Sequence, residues 1–358
     1  MAAAGERPLF SLVMCLYGVE ATVARAVTAV LAQPFDDFEL VLVDDASPDG
    51  SLDAALAAAG DDPRVRVVRH GENRGLSGAR NTGLEAARGC YVAFPDPDDT
   101  VGRDFLPAAA DAVAAFDPDI VVEGLTEVYE RADGAVERER PIVPDGARLE
   151  GPAVARAVLP LEVKTLVGYV NCKFFRMNLV GDLRFEEGTS LSEDFFFSIE
   201  MFERARRVAV VPCAAYRYFK RPSGSLTSRW DDTYYDIHRR RVARLYRYLC
   251  EHGLDGTETR RLVGVLYGRY IVSALMRACD PRSSLDAAGR RDWVSQVFSD
   301  PLFDRLVPVA YSDESLATNA ALSVLRTRDV GLALALGHAV GVARGAASGA
   351  FGRIQQKR

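Results

Sequence analysis

A chain of 358 residues, 48% hydrophobic and 26% charged, is long enough for an α/β domain of roughly 220–250 residues with an appendage, and its ordinary balance excludes a disordered or fibrous protein. The net charge of −6 is uneven, with 25 basic and 36 acidic side chains in residues 1–230 against 19 and 14 in residues 231–358. An acidic body with a mildly basic end argues against general nucleic-acid binding and leaves a membrane surface or an anionic polymer open as a partner. The six cysteines (Cys15, Cys90, Cys172, Cys213, Cys250, Cys279) are scattered with no C-x-x-C pair, which reads as reduced thiols in a cytosolic protein. Met1–Pro8 lacks the apolar core of a secretory signal, and no run of about 18 uncharged apolar residues exists to span a membrane.

In chain order, Leu9–Tyr17 is a first apolar strand and Glu20–Gln33 a helix with Val23, Val27, Val30 and Leu31 at helical spacing. Phe38–Val43 is a second strand ending in Asp44 and Asp45. A helix through Ala59 follows, with Ser47 as its N-cap and Pro48 at its first position. Val65–Val68, a helix over Ser77–Arg88 and the strand Cys90–Phe94 continue the alternation. Such alternation calls for a mostly parallel sheet covered by helices on both faces, with ligands outside the carboxyl ends of the strands.

At one of those ends, Phe94-Pro95-Asp96-Pro97-Asp98-Asp99-Thr100 packs three carboxylates into four positions. Hard oxygens this close suit Mg²⁺ or Mn²⁺, especially an ion already carrying a diphosphate. The structural alternative is an acidic turn in which Asp99 or Thr100 caps the next helix. A second acidic strand end, Asp44-Asp45, weighs toward a site.

Four stretches (Ser11–Tyr17, QPFDDFELVLVDDASPDGS at 33–51, NRGLSGARNTGLEAARG at 73–89 and YVAFPDPDD at 91–99) resemble, in order and spacing, the family 2 glycosyltransferases. The resemblance resumes at NCKFFR (171–176) and over Leu183–Ser225, with LRFEEG, SEDFFF and YRYFKRPSGSLTS, and fades after about residue 230. It departs at Gly18, where the family usually has Asn.

The resemblance implies an inverting enzyme of GT-A fold. It implies that Asp45 accepts a hydrogen bond from the base with Asp44 beside it, that Arg80 reaches the nucleotide or its diphosphate, and that Tyr17, Lys173 and Arg221 also serve the donor. Asp96, with Asp98 the Asp-x-Asp signature, would hold the metal together with Asp99, in a division of labour the sequence leaves open. Asp194 would be the catalytic base, with Glu193 as second candidate; acids in a helix's first turn are also what the helix dipole favours.

Beyond the first half, Ile120–Tyr129 reads as strand and Glu127–Arg140, around Asp133-Gly134, as a hairpin. Leu183–Phe185, a helix over Glu193–Ala205 and Val208–Val211 restore α/β texture. Tyr216, Tyr218, Arg221 and Ser225 read as a polar, basic lid loop. Helices follow at 231–252, 257–279, 286–299, 314–327 and 329–352. His238-Arg239-Arg240-Arg241 with Arg244 and Arg247 reads as a basic face, by default solvated and otherwise suited to anionic lipid or a phosphate-containing acceptor. The glycine-punctuated Ala333–Ala350 reads as an interaction helix, for self-association or a membrane edge.

The expectation is an α/β, GT-A (Rossmann-like) protein with a helical C-terminal appendage. It divides at 1–120 (nucleotide-sugar half), 121–229 (acceptor half) and 230–358 (helical). It would be cytoplasmic or peripheral at the inner face of the plasma membrane. Its reaction would move a sugar from a nucleotide diphosphate, UDP foremost, to a glycan, polyol-phosphate or lipid-linked acceptor, with Mn²⁺ or Mg²⁺. A sugar nucleotidyltransferase and an inactive glycan- or nucleotide-binding module are the alternatives.

Overall fold

The computed structural model describes residues 7–131, 133–188, 191–221 and 232–355, with side chains as far as Ala343 in the last helix. The chain forms two compact units, residues 1–228 and 229–358.

In the first unit the order is β1 (Phe10–Leu16), α1 (Glu20–Leu31), β2 (Phe38–Asp44), α2 (Ser51–Ala59), β3 (Val65–Arg69), α3 (Gly75–Ala86), β4 (Tyr91–Ala93) and β5 (Thr100–Val101). Then come α4 (Phe105–Phe116), β6 (Ile120–Val122), β7 (Leu125–Glu130), β8 (Val136–Ile142), β9 (Ala147–Glu150) and α5 (Pro152–Val163). The unit ends with β10 (Lys173–Arg176), α6 (Met177–Val180), α7 (Glu193–Arg204), β11 (Arg207–Val210) and β12 (Tyr216–Lys220). The main sheet runs β3-β2-β1-β4-β10-β6-β11-β9. Its β3-β2-β1-β4 half is parallel, β10 runs antiparallel to both β4 and β6, and β6 and β11 pair in parallel. β1, β2 and β4 are buried on both faces, as parallel strands under helices must be. Their carboxyl ends share one rim, which carries Tyr17, Asp44-Asp45 and the Asp96 turn.

Gly83 sets the seat of α3 on β1. A Cβ there would fall 2.1 Å from Val13 Cγ1, so any larger residue would lift the helix off the sheet. Arg80, one turn earlier on that buried side, is thereby carried to the rim with only 3% exposure.

Three sequence expectations give way here. Ser47 is not a helix cap: its hydroxyl donates to the Leu16 carbonyl, and α2 begins at Ser51 behind Gly50. Asp44 Oδ1 accepts from the Ser47 N–H, a local turn that competes with helix formation. Ile120–Tyr129 is two strands, since at Glu123-Gly124 the chain leaves the main sheet for a second one, ordered β5-β12-β7-β8. Leu183–Phe185 is no strand. The Asn81 side chain donates to the Phe185 carbonyl and accepts from its N–H, taking the bonds a neighbouring strand would have made. The β7–β8 hairpin forms as expected, with a register shift at Tyr129/Glu130.

The second unit comprises α8 (Tyr234–Glu251), α9 (Thr257–Ala278), α10 (Ala287–Phe298), α11 (Pro301–Leu306), α12 (Leu316–Arg326) and α13 (Val330–Gln355). α11 escaped the sequence reading, although Asp300 caps it through the Leu302 N–H and Pro301 holds its first position. In α13, Ala333 is buried, and a Cβ on Gly337 would lie 2.7 Å from the Leu275 carbonyl oxygen. The first turns of this small-residue helix are thus spent on packing against α9. The basic face of α8 is also less free than its spacing suggests, because Arg239 is held by Asp300 and Arg244 is 8% exposed. Among the described residues no helix is long and apolar enough to cross a membrane.

Candidate active site

The rim gathers three groups of acids that lie far apart in sequence, and Arg80 joins two of them. Its Nη1 donates to Asp194 Oδ1 at 2.5 Å and Glu193 Oε1 at 3.1 Å, and its Nη2 lies 3.5 Å from Asp96 Oδ1. Burial alone would lower the guanidinium's proton affinity; the carboxylates of Asp194, Asp96 and Glu193 outweigh it and raise it. The Phe185 ring lies 5.2 Å below the guanidinium carbon.

Glu193 and Asp194 open α7 behind Ser192, a non-glycine residue at φ 65° with no side-chain cap. A left-handed conformation there costs about 1–2 kcal/mol, which the packing of α7 must hold in place. That packing is aromatic. Phe197 stacks on Phe185 at 4.1 Å and meets Phe94 and Phe175 edge-on at 6.0 and 5.4 Å. One cluster therefore fixes α7, the 183–188 segment and the end of β4 relative to each other. Burial, and then the neighbouring Asp194 charge, push the Glu193 carboxyl up to about 8.

The Asp96–Asp99 turn is pinned from behind by β12. The Tyr216 hydroxyl accepts from the Asp96 N–H at 3.1 Å and donates to Asp99 Oδ2 at 2.7 Å. The Phe219 N–H donates to Asp99 Oδ1 at 2.8 Å. Asp99 is 1% exposed and lifted well above the usual carboxylate range by burial and by Asp98. Asp96 is pushed up to about 7 by burial and by the charges of Asp98 and Asp194, against the pull of Arg80 and an Asn171 Nδ2 bond of 3.1 Å. Asp98 projects outward and pairs with Arg221, whose Nη1 reaches Asp98 Oδ2 at 3.3 Å while its Nε binds Glu130 at 2.9 Å. One oxygen from each of Asp96, Asp98 and Asp99 lies within 4.8 Å of the others. The donor set fits a hard divalent ion: burial, with like-charge crowding from Asp98 and Asp194, holds Asp96 high, and a bound cation would relieve that crowding. Asn171 Oδ1, buried beside Asp96, has no partner among the described residues.

At the other acidic strand end, Asp45 is 2% exposed and its carboxylate is largely committed. Oδ1 meets His70 Nδ1 at 2.6 Å and the Arg74 N–H at 2.8 Å, and Oδ2 accepts from the Gly75 N–H at 2.9 Å. His70 Nε2 lies 2.9 Å from Thr82 Oγ1, so this acid clamps the 70–75 loop to the start of α3. Ala46 follows at φ 55°. Tyr17, 50% exposed, stands at the end of β1 on the same rim.

The fold thus unites Asp96, Arg80, Glu193 and Asp194, with Asp98 and Arg221 beside them. Lys173 is drawn inward instead: it is fully buried and its ammonium donates to the Tyr169 carbonyl. Tyr216 and Tyr218 correct the expectation of a lid, since both lie in β12 and Tyr216 is completely buried. Ser225 lies outside the described residues. Sequence reading missed His70, Asn171, Glu130 and the bracing role of Tyr216. Asn171, Glu130 and Tyr216 each carried a signal, since each lies in a stretch already singled out.

The profile of "Glycosyl transferase family 2" matches residues 11–179. "Uncharacterized glycosyltransferase EpsJ" of Bacillus subtilis is 32% identical over 222 residues, covering 62% of this chain and 63% of that protein. "Succinoglycan biosynthesis protein ExoO" of Rhizobium meliloti is 35% identical over 226 residues, covering 62% of this chain and 63% of that protein. The matched region thus spans less than two thirds of either relative. Among solved structures, S. aureus TarS 1-349 in complex with UDP-GlcNAc superposes with a TM-score of 0.62 at 18% identity, covering 92% of this chain and 91% of that one. That likeness shows a shared GT-A fold with a helical C-terminal region. With the ordered motifs and the rim they build, these matches show that residues 11–179 are similar to glycosyl transferase family 2.

Proposed function

We propose that the protein is an inverting, metal-dependent glycosyltransferase that moves a sugar from a nucleotide diphosphate to a hydroxyl of a cell-envelope glycan or polyol-phosphate polymer. The observation that carries this reading is the Arg80 bridge, which sets the head of α7 beside Asp96 at the strand ends. UDP is the favoured nucleotide. TarS was solved with UDP-GlcNAc, and the Asp45 carboxylate keeps one acceptor position on Oδ2 that suits a base N–H. ExoO, named for succinoglycan biosynthesis, supports an envelope polysaccharide as acceptor.

Tyr17 offers a ring for the nucleoside. Asp96 and Asp98 would hold the divalent ion, Mn²⁺ or Mg²⁺, while Asp99 keeps the turn in shape through Tyr216 and Phe219. When bound, the ion supplies Lewis-acid stabilisation of the departing diphosphate. Asp194 takes the proton of the acceptor hydroxyl as that oxygen bonds to the anomeric carbon and the carbon–diphosphate bond breaks. Glu193, raised to about 8, keeps its proton near neutral pH and leaves the base's part to its neighbour. Arg80 positions Asp194 through their 2.5 Å bond.

The test is a pair of variants assayed on a UDP-sugar panel by transfer or slow donor hydrolysis. Asp194→Asn should cut turnover by about 10²–10⁴ with UDP affinity near wild type, the mark of a lost transition-state interaction. Glu193→Gln should cost less. A fully active Asp194→Asn beside an inactive Glu193→Gln would move the base to Glu193.

A further inference from the structure

The helical unit holds a cleft of its own, unconnected with the family motifs. It encloses about 230 Å³ between α8, α10 and the start of α11, lined by Tyr235, Asp236, Arg239, Trp293, Gln296 and Asp300 with Val297 at its base. Tyr235 and Trp293 meet edge to face, their ring centroids 5.4 Å apart and their planes at 88°, so two aromatic walls stand at right angles. Opposite them the Arg239 guanidinium forks onto Asp300, with Nη2 to Oδ1 at 3.2 Å and Nε to Oδ2. Asp300 also accepts from the Leu302 N–H at 2.9 Å, and Tyr267 reaches both Asp300 Oδ2, at 3.4 Å, and the Tyr235 hydroxyl, at 2.8 Å. The floor is thus a closed network of acid, base and two phenols. Asp236 and Gln296 stand at the exposed edge, and neither side chain has a hydrogen-bond partner among the described residues.

We propose that this cleft is a saccharide-binding subsite that takes one pyranose ring of a glycan. Each feature excludes a rival. A phosphate or acidic lipid headgroup needs an uncompensated cation, but among the described residues Arg239 is the only basic group lining the cleft and Asp300 neutralises it, with Asp236 adding negative charge. A purely apolar ligand would leave the hydrogen-bonding groups of Asp236, Gln296 and Arg239 desolvated and unmatched. A sugar ring matches both halves: its C–H face lies against an aromatic ring, and its hydroxyls donate to a carboxylate and exchange bonds with an amide and a guanidinium. The cleft offers about 230 Å³, and its indole and phenol walls already meet edge to face without a ligand, which lowers the ordering cost. The subsite stands independently of the donor site. Its natural consequence is that the protein holds its glycan at a second point besides the one that reacts.

The chain has two tryptophans, Trp230 and Trp293. In a full-length Trp230→Phe background, indole emission reports on the cleft alone. Titration with glucose, N-acetylglucosamine and a soluble oligosaccharide of each should shift that emission saturably, and inorganic phosphate should not. Saturation-transfer NMR on the wild-type chain should show the same sugars bound. Gln296→Ala and Asp236→Asn, both at exposed positions, should each weaken binding about 3–10-fold, the loss of one or two hydrogen bonds, while UDP affinity stays unchanged. An emission shift with phosphate but not sugar would make this an anion site and overturn the proposal. So would sugar binding that survives both substitutions undiminished, or no shift and no saturation transfer with any saccharide tested.

Discussion

Two acidic strand ends share the rim, and the protein treats them in opposite ways. Asp45, at the end of β2, is surrounded by donors from a single loop: the Arg74 and Gly75 N–H groups and His70. Its charge is satisfied at home. The Asp96–Asp99 turn, at the end of β4, has only Asp99 satisfied that way, by Tyr216 and Phe219. Asp96 sits among like charges with only Arg80 and Asn171 to answer it, and Asp98 leans on Arg221, just beyond β12. Carboxylates answered by fixed backbone N–H groups build structure; carboxylates crowded against each other and answered by arginine side chains are poised for a ligand. The comparison therefore divides the acids into those whose loss should unfold a loop and those whose loss should leave the fold intact and stop the chemistry.

The widest effect should come from the crowded end. Asp98→Asn keeps the shape and removes a charge, so on the metal reading turnover should fall about 10²-fold or more, with the shortfall not recovered by excess UDP-sugar. EDTA should do the same to the wild type. The fold should not suffer, because Asp98 contributes repulsion to both Asp96 and Asp99. Unchanged turnover in EDTA would remove the metal from the account. At the satisfied end, Asp45→Asn should behave in reverse. It loses charge-assisted bonds from two backbone N–H groups and a histidine, which should cost about 1.5–3 kcal/mol of unfolding free energy in urea titrations. Amide exchange over residues 70–75 should speed up. If Asp45→Asn unfolds like the wild type while losing only nucleotide affinity, the two ends are more alike than their bonding suggests.

How much of this was legible in the sequence follows the same division. The first 100 residues alternate in a way that dictates the parallel half of the sheet, and the acids at its rim are visible as charges that no strand core accepts. What the sequence hid were partners brought from far away. Nothing local in Tyr216 announces that its hydroxyl will tie Asp96 to Asp99 across more than a hundred residues, and its neighbours Tyr218 and Lys220 made the stretch look like a loop. Arg80 was legible as a candidate site residue beside Gly78, read as a partner for the nucleotide or its diphosphate, whereas the structure pairs it with carboxylates. Its carboxylate partners on α7 depend on where Phe197 packs, which is a tertiary fact. The antiparallel β10 between β4 and β6 was equally hidden, because a four-residue strand carries no sign of its direction.

Protonation offers a third and milder test of the crowding. In the folded metal-free protein Asp96 titrates near 7 and Glu193 near 8, against ordinary values of 3.8 and 4.5. The folded state therefore binds more protons than the unfolded chain through that window, and the sign is fixed: stability is full below about pH 4.5 and is lost as pH rises through 7 and then 8. Melting temperature followed by scanning calorimetry should decline over pH 5–8. The decline should be shallower in Asp96→Asn and in Glu193→Gln, each of which removes one of the carboxyls held high. Mn²⁺ should flatten the curve too, since a cation favours the ionised form of Asp96. A melting temperature that rises from pH 5 to 8 would mean these carboxyls are not held high.

The smallest expected effect on stability, and the finest probe of the crowded end, is Arg221. Among the described residues it is the one arginine shared between Asp98 and Glu130, and its Nη2 also donates to the Asp98 carbonyl at 2.7 Å. The Asp98 side chain of that pair is 47% exposed, so the pair is screened, and Arg221→Ala should change unfolding free energy by no more than about 1 kcal/mol. Its effect on binding should be split. In the absence of nucleotide, Arg221 competes with a cation for Asp98, so removing it should tighten Mn²⁺ binding severalfold. In the presence of UDP the same arginine is a natural partner for the diphosphate, so removing it should weaken UDP binding. Opposite signs for metal and nucleotide, read by calorimetric titration of each alone and then together, would show that Asp98 exchanges one positive partner for another when the donor arrives. If Arg221→Ala weakens both, the arginine orders the turn rather than competing for it, and the crowded end is braced from the front as Tyr216 braces it from behind.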